Sequence, residues 1–378
     1  MNCLRMMLVV GAVGGLVPLC VQAQVQIVSF ESGGSLVCSN LAAGSTATVE
    51  WASAPGGGWT NGAHGSARFA VGSNGLLEAE VPMGLAPAMF FRVQGHERGT
   101  EVIPPAGMVL IPAGTNSGTN PLGPGDPAYD PFWYPSNYTL TVSAFYMDKY
   151  EVTKALWDEV ATWAISHGYV FDRTSQFPGA DRGTNYPVQT VTWYDCVKWC
   201  NARSEKENRP VCYWDGAAVY RTGQQFRVSC TTNAPGYRLP TDMEWEYAAR
   251  GGVSGKQFPW GGDTISYAYA NYYAVKWSNY DLSTGGYHPN YTNAPTPPHT
   301  SPVGAFELGK NGYGLYDMAR NVAEWCWEWD IQGYTFRILR GGSADQSSTW
   351  SRIGRRSNNG PDYGFYNVGF RTVMARPQ

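Results

Sequence analysis

The sequence predicts a loop-rich domain of mixed helix and strand behind a small antiparallel β domain, and three observations carry that prediction. Only 15% of the 378 residues are charged, against roughly 25% in an average soluble domain. Their place is taken by 45 Gly, 15 Trp and 24 Tyr, a mixture that suits long loops held by aromatic packing. The third observation is positional. Short apolar–polar alternations separated by Gly-rich turns fill residues 24–98, the pattern of small antiparallel strands. Beyond them, helical spacing appears in only three short stretches.

The N-terminus reads as an export leader over residues 1–23. Arg5 supplies positive charge, Met6 to Leu19 form an apolar core broken by Gly and Pro, and Val21, Gln22 and Ala23 resemble a small-residue cleavage site. That core is short for a membrane span, and no later segment is apolar enough to cross a bilayer. The expected location is therefore secreted, periplasmic or cell-envelope, with an uncleaved anchor as the alternative. A net charge of -3 and no basic stripe interleaved with aromatics argue against nucleic-acid binding.

Cleavage removes Cys3 and Cys20 and leaves Cys38, Cys196, Cys200, Cys212, Cys230 and Cys326. In an oxidising compartment an even set favours disulfides, and Cys212 with Cys230, flanking a short turn-rich insertion, is the expected pair.

After the β domain, residues 99–106 with Pro104 and Pro105 read as a linker. The larger domain, 107–376, opens with a strand at Met108–Ile111, a Gly/Pro/Asn-rich loop over 115–138 and a strand over 139–148. Thr153 is placed to cap a helix carrying Leu156, Trp157, Val160 and Trp163. A second helix follows Thr192, and Thr241 with Glu244 forms a capping box for a third. The rest is predicted to be loop.

Nine segments in one order carry a resemblance. They are GMVLIPAG (107–114), YEVT (150–153), PVQTVTW (187–193), GYRLPT with EWEYAAR (236–250), PWG (259–261), NGYGLYDMA (311–319), NVAEW (321–325), RGGS (340–343) and GFR (369–371). Together they resemble the sulfatase-modifying factor family, the formylglycine-generating enzyme and its relatives. The resemblance implies an α+β, loop-rich fold related to the C-type lectin fold.

It also implies a chemistry: oxidation of a client sulfatase's cysteine to formylglycine, with copper held by two cysteine thiolates. Cu(I) is soft and takes sulfur donors. In the family those cysteines fall three and eight residues after the serine of the RGGS segment. From Ser343 these positions are Gln346 and Ser351, and no cysteine occurs after Cys326. The resemblance therefore implies the scaffold without its copper site. The pocket candidates are then Ser343, Gln346, Trp350 and Ser351, and a peptide or glycan is the expected ligand. The competing expectation is an oxidase with a relocated metal site. Five histidines, His64, His96, His167, His288 and His299, are too few and too scattered for the iron site of the carbon–sulfur-forming relatives.

The resemblance further implies structural calcium in two loops. In the first, Asp317 and Glu324 would offer carboxylates, and Arg320 and Val322 their carbonyls. In the second the ligands would be Asn271, the carbonyl of Tyr272, and Asp281. Calcium takes six to eight hard oxygens at flexible geometry. Arg320 stands where the family usually has Gly, and Ala323 where it usually has Trp.

Overall fold

The protein is described from a computed structural model. It describes residues 104–119, 137–172, 183–276, 278–291, 300–330 and 335–377, together with the backbone of eight strands within 5–96. The chain divides into two compact units, Met1–Ile103 and Pro104–Gln378.

In the first unit β1 (Arg5–Gly11), β2 (Leu16–Leu19), β5 (Thr46–Ala52), β6 (Gly65–Ala70) and β8 (Ala88–His96) form a sheet of order β2-β1-β8-β5-β6, and β3 (Gln26–Phe30), β4 (Ser35–Ser39) and β7 (Leu77–Glu80) a second of order β3-β4-β7. Adjacent strands are antiparallel. β1 and β2 belong to the predicted leader and lie at one edge, so the β8-β5-β6 ladder does not depend on them. Side chains at Cys38, His64 and His96 lie outside the described residues, as do the loop 120–136 and His299.

The second unit is a mixed helix-and-strand body. Its strands are β9 (Met108–Ile111), β10 (Gly114–Thr119), β11 (Asn137–Val142), β12 (Phe145–Asp148), β13 (Tyr213–Asp215), β14 (Ala218–Val219), β15 (Ser229–Cys230), β16 (Tyr237–Arg238), β17 (Ala323–Trp329), β18 (Arg337–Arg340), β19 (Arg356–Asn359), β20 (Val368–Gly369) and β21 (Val373–Ala375). The sheet β16-β21-β12-β9 joins the first and last strands of the unit through β12, which pairs with both. The sheet β19-β18-β17-β20 carries the residues on which the site is built.

The strand expected over 139–148 is two strands. β11 pairs with β10, whereas β12 pairs with β9 and β21. The chain leaves one sheet for another at Ser143 and Ala144, a change of partners that local alternation does not encode.

The helices begin where their caps predict. Thr153 Oγ1 accepts from Leu156 N ahead of α1 (Lys154–Ile165), and Thr192 from Asp195 N ahead of α2 (Trp193–Lys206). Thr241 and Glu244 close a reciprocal box at α3 (Asp242–Ala249). α1 packs on α2 through Trp157 and Trp199, stacked at 5.8 Å. α3 contributes Trp245 and Ala248 to a core with Ile111, Phe145, Met147, Leu315 and Val373. Arg337 lies between the rings of Trp193 and Trp329, 3.6 Å from each centroid, so the aromatic content predicted from composition is partly a cation–π stack.

The Cys212–Cys230 disulfide is not formed, and Cys196, Cys200, Cys212, Cys230 and Cys326 are all free thiols. Tyr213, not Cys212, stands opposite Cys230. A one-residue offset sends successive side chains to opposite faces of a ladder.

One buried acid sets a pH dependence. Glu328 in β17 accepts from Asp242 N (2.7 Å) at the start of α3, and burial pushes its carboxyl up to about 7. The folded state then holds a proton that the unfolded chain has lost above its ordinary range. Stability from this group is full below about pH 4.5 and is lost as pH rises through 7, by at most about 3 kcal/mol. Glu328→Gln is expected to raise Tm at pH 8 and leave it unchanged at pH 4.5. Equal shifts at both pH values would refute the assignment.

Candidate functional site

The site forms where the chain leaves β18. Gly341 (φ +82°) and Gly342 (φ +69°) occupy left-handed conformations in succession, and a Cβ on Gly342 would lie 2.7 Å from Trp350 O. Only glycine takes this turn without strain and without that clash. The loop then docks onto residues 320–321 by two backbone bonds, Arg320 N to Gly341 O and Ala344 N to Asn321 O, each 3.0 Å. Tyr273 N donates to Gln346 O (3.1 Å), and the turn of 3-10 helix Ser348–Ser351 closes it.

Behind this loop lies the side chain of Arg320. It is fully buried, and its backbone takes φ +88°, a conformation that costs a non-Gly residue on the order of 1 kcal/mol or more. Nη1 donates to Ser343 O (2.6 Å), Nη2 to Ser347 O, and Nε to Ser351 Oγ. Burial pushes the guanidinium below the usual arginine range, and Asp345 opposes that shift. A cation is thus held against the backbone of the loop that follows Gly342. Sequence reasoning noted the arginine at a glycine position but had no signal for where its side chain goes.

In front of the loop is a cavity of ≈ 220 Å³. Gln346, Trp350, Asn358, Asn359, Phe365 and Asn367 are among its walls, with Arg355 and Arg356. Of the four pocket residues expected from sequence, Gln346 and Trp350 line it. Ser351 does not: it is fully buried and its hydroxyl is turned to Arg320. Ser343 is also fully buried, its carbonyl bound to Arg320 and its hydroxyl donating to Asp345 (2.6 Å). The amide side chains of β19, Asn358 and Asn359, had no sequence signal.

The thiols give no substitute for the missing pair. Burial pushes Cys212 up to about 11 and Cys230 up to about 12, and Cys196, Cys200 and Cys326 well above the ordinary thiol. None of these five thiols lines the cavity beside the Gly341–Arg355 loop, so the loop itself brings no sulfur donor for Cu(I).

The first expected calcium loop is rich in buried acid. Both oxygens of Glu324 accept from Arg371 (2.7 Å each), and Oε2 also from Trp245 Nε1 (2.7 Å). Asp317 (φ +57°) accepts from Gly304 N (2.6 Å), and burial pushes its carboxyl up to about 6. Glu151, part of the YEVT segment and given no role from sequence, joins them. It accepts from Val322 N (3.0 Å) and Asn321 Nδ2 (2.7 Å), and burial, then Asp317 and Glu324, push it well above the carboxylate range. Three acids thus interact with one guanidinium. No group of three His, Cys, Asp or Glu side chains is placed to share a metal among the described residues, so a cation here would lean on backbone carbonyls. Glu324 already accepts three hydrogen bonds, so for a hard ion Asp317 and backbone oxygens are what this loop has left to offer.

The carboxylate of the second loop is saturated in the same way as Glu324. Asp281 accepts from Tyr272 OH (2.6 Å), Ser283 N (3.1 Å) and Val275 N (2.9 Å). Those donors fill three of about four lone-pair sites of a carboxylate. Tyr272 reaches Asp281 through its hydroxyl, and Asn271 is buried beside it in sequence.

Fold and site together define a scaffold of the formylglycine-generating type. The family profile of the sulfatase-modifying factor enzyme 1-like domain matches residues 94–376, and the chain belongs to that family. It is 36% identical over 248 residues to the chaperone protein LppX of Paenibacillus barcinonensis, spanning 61% of this chain and 81% of that one. It is 30% identical over 301 residues to the formylglycine-generating enzyme of Mus musculus, 70% and 74% of the two chains. Against the inactive Cα-formylglycine-generating enzyme 2 of Bos taurus it is 34% identical over 197 residues, 49% and 56%. Among solved structures, Treponema denticola variable protein 1 superposes with a TM-score of 0.51 at 27% identity, covering 71% of this chain and 95% of that one.

Proposed function

We propose that this is an exported, calcium-stabilised binding module that keeps the family scaffold without its oxidase chemistry and offers the cavity beside Gln346 and Trp350 to a peptide or glycan. The observation that carries the reading is Arg320: its guanidinium is bonded to Ser343, Ser347 and Ser351, the loop that should supply two thiolates. A fixed organic cation there supports the loop and disfavours a second positive ion in the same place. That the family includes a relative named inactive, and another named a chaperone, supports a binding role. The relation to the C-type lectin fold, and a spacer or adhesion role for the strand-rich first unit, belong to the same proposal. Among the described residues no helix is long and apolar enough to cross a membrane.

The test is anaerobic loading with Cu(I) followed by metal analysis and a formylglycine assay on a cysteine-containing sulfatase peptide. No stoichiometric, thiol-dependent copper and no aldehyde product are expected. Either one would establish the competing reading, an oxidase that matures sulfatases or acts on another substrate through a relocated metal site.

For calcium, Asp317 and Glu324 would supply carboxylate oxygens and Arg320 and Val322 carbonyls, neutralising the acid excess. EDTA is expected to lower Tm and added Ca²⁺ to restore it. At an ion concentration about 100-fold above Kd the gain is about 2.7 kcal/mol. A melting curve indifferent to both reagents would remove calcium from the proposal.

A further inference from the structure

The amides around the cavity are already half-used, and the unused halves form a pattern. Gln346 accepts from Ser343 N through its side-chain carbonyl (3.2 Å), and Asn359 from Gly360 N (2.9 Å). What these two can offer a ligand is their NH2 groups. Asn367 donates through Nδ2 to Ser343 Oγ (3.3 Å) and Asp345 (3.2 Å). What it can offer is a carbonyl oxygen. The hydrogen-bond network thus fixes two donors and one acceptor around one small space, whereas Asn358, next to Asn359 on β19 and paired with the core residue Ile338, sends its side chain to the other face of the sheet and to Asp330 (2.7 Å).

That set is neutral. Arg356 at the rim is engaged by Asp242 (2.8 Å) and Glu246 (3.0 Å), and the Arg355 guanidinium lies over the Trp350 ring at 4.0 Å. Asp345, next to the cavity-lining loop, is satisfied by Ser343 Oγ, Asn367 and Tyr366 OH (3.0 Å). Trp350 and Phe365 add aromatic walls, and Phe365 is itself stacked on the exposed ring of Tyr363 (5.8 Å). Donors and an acceptor beside aromatic faces match a molecule whose hydroxyls each donate and accept and whose ring carries apolar C–H edges. At ≈ 220 Å³ the cavity is smaller than the roughly 300–1,000 Å³ that encloses a drug-sized molecule, so it takes one ring and not an extended chain.

We propose that the cavity binds a single neutral pyranose of a glycan, with Gln346 and Asn359 donating to its hydroxyls and Asn367 accepting from one of them. This rests on the binding-module reading and chooses between its two ligand classes. The experiment is saturation-transfer NMR and calorimetry on the full chain with glucose, galactose, mannose, N-acetylglucosamine and N-acetylgalactosamine, and in parallel with glucuronate and a pool of random heptapeptides. At least one neutral sugar should bind. Gln346→Ala and Asn359→Ala, both partly exposed positions, should each weaken it about tenfold with an unchanged melting curve, and two positions keep the test open if one variant misfolds. Sugar binding indifferent to both substitutions, or binding of glucuronate alone, overturns the proposal. Peptide binding that depends on Gln346, with no sugar bound, overturns the ligand class but leaves the binding module standing. If nothing binds, both fall.

Discussion

Glu246→Ala is expected to cost about 3–5 kcal/mol, the largest effect of any single change considered, because it leaves buried guanidinium groups without their anion. Glu246 is fully buried in α3 and accepts from Arg250 (2.7 Å), Arg340 (2.5 Å) and Arg356 (3.0 Å), and from Tyr138 OH. Burial alone would push its carboxyl up, yet Arg340, then Arg356 and Arg250, outweigh that and hold it at about 2. These partners come from β11, β18, β19 and α3, so the network fixes the two strands, β18 and β19, between which the Gly341–Arg355 loop is strung. With the folded value depressed, the contribution is present above about pH 4.5 and is lost as pH falls towards 2. Urea unfolding at pH 7 measures the loss. A change below 1 kcal/mol would show that the network relaxes without its centre.

Arg371→Met is expected to cost a similar amount for the opposite reason. Arg371 is fully buried and is the cation hydrogen-bonded to Glu324, with Glu151 and Asp317 close enough to raise its own affinity for the proton. Removing it leaves buried acids with no guanidinium among them, again about 3–5 kcal/mol, or roughly 2–4 °C of Tm per kcal/mol in a domain of this size. Saturating Ca²⁺ should recover part of the loss, since the ion then supplies the missing positive charge. A variant as stable as the parent would mean that those acids are protonated in the folded state. A loss that calcium does not touch would place the ion elsewhere.

These two networks show which parts of the molecule were legible in the chain. Thr153, Thr192 and Thr241 cap helices through bonds to residues three positions on, and such local chemistry is written in adjacent letters. The strand over 139–148 was not legible as two, because the break at Ser143 reflects a change of sheet and not a change of pattern. Nor was the absence of a Cys212–Cys230 bridge, which turns on a one-residue register. At the site, the absence of cysteine after Cys326 is plain in the chain. The guanidinium behind the loop is not, since Arg320 reaches it from a position 23 to 31 residues earlier in the chain. The carbonyl-turned and NH2-turned amides of the cavity were equally hidden, each being oriented by a partner in another segment.

By itself, then, the order of residues determined the family and the helix starts, both of which follow from side-chain identity and short-range backbone bonding. Only the folded chain decided that a guanidinium backs the loop after Gly342, that Glu151 joins Asp317 and Glu324, and that Gln346, Asn359 and Asn367 share one cavity. The reason is physical: a buried charge or amide settles where its hydrogen bonds can be completed, and those partners are brought together by packing across the whole domain.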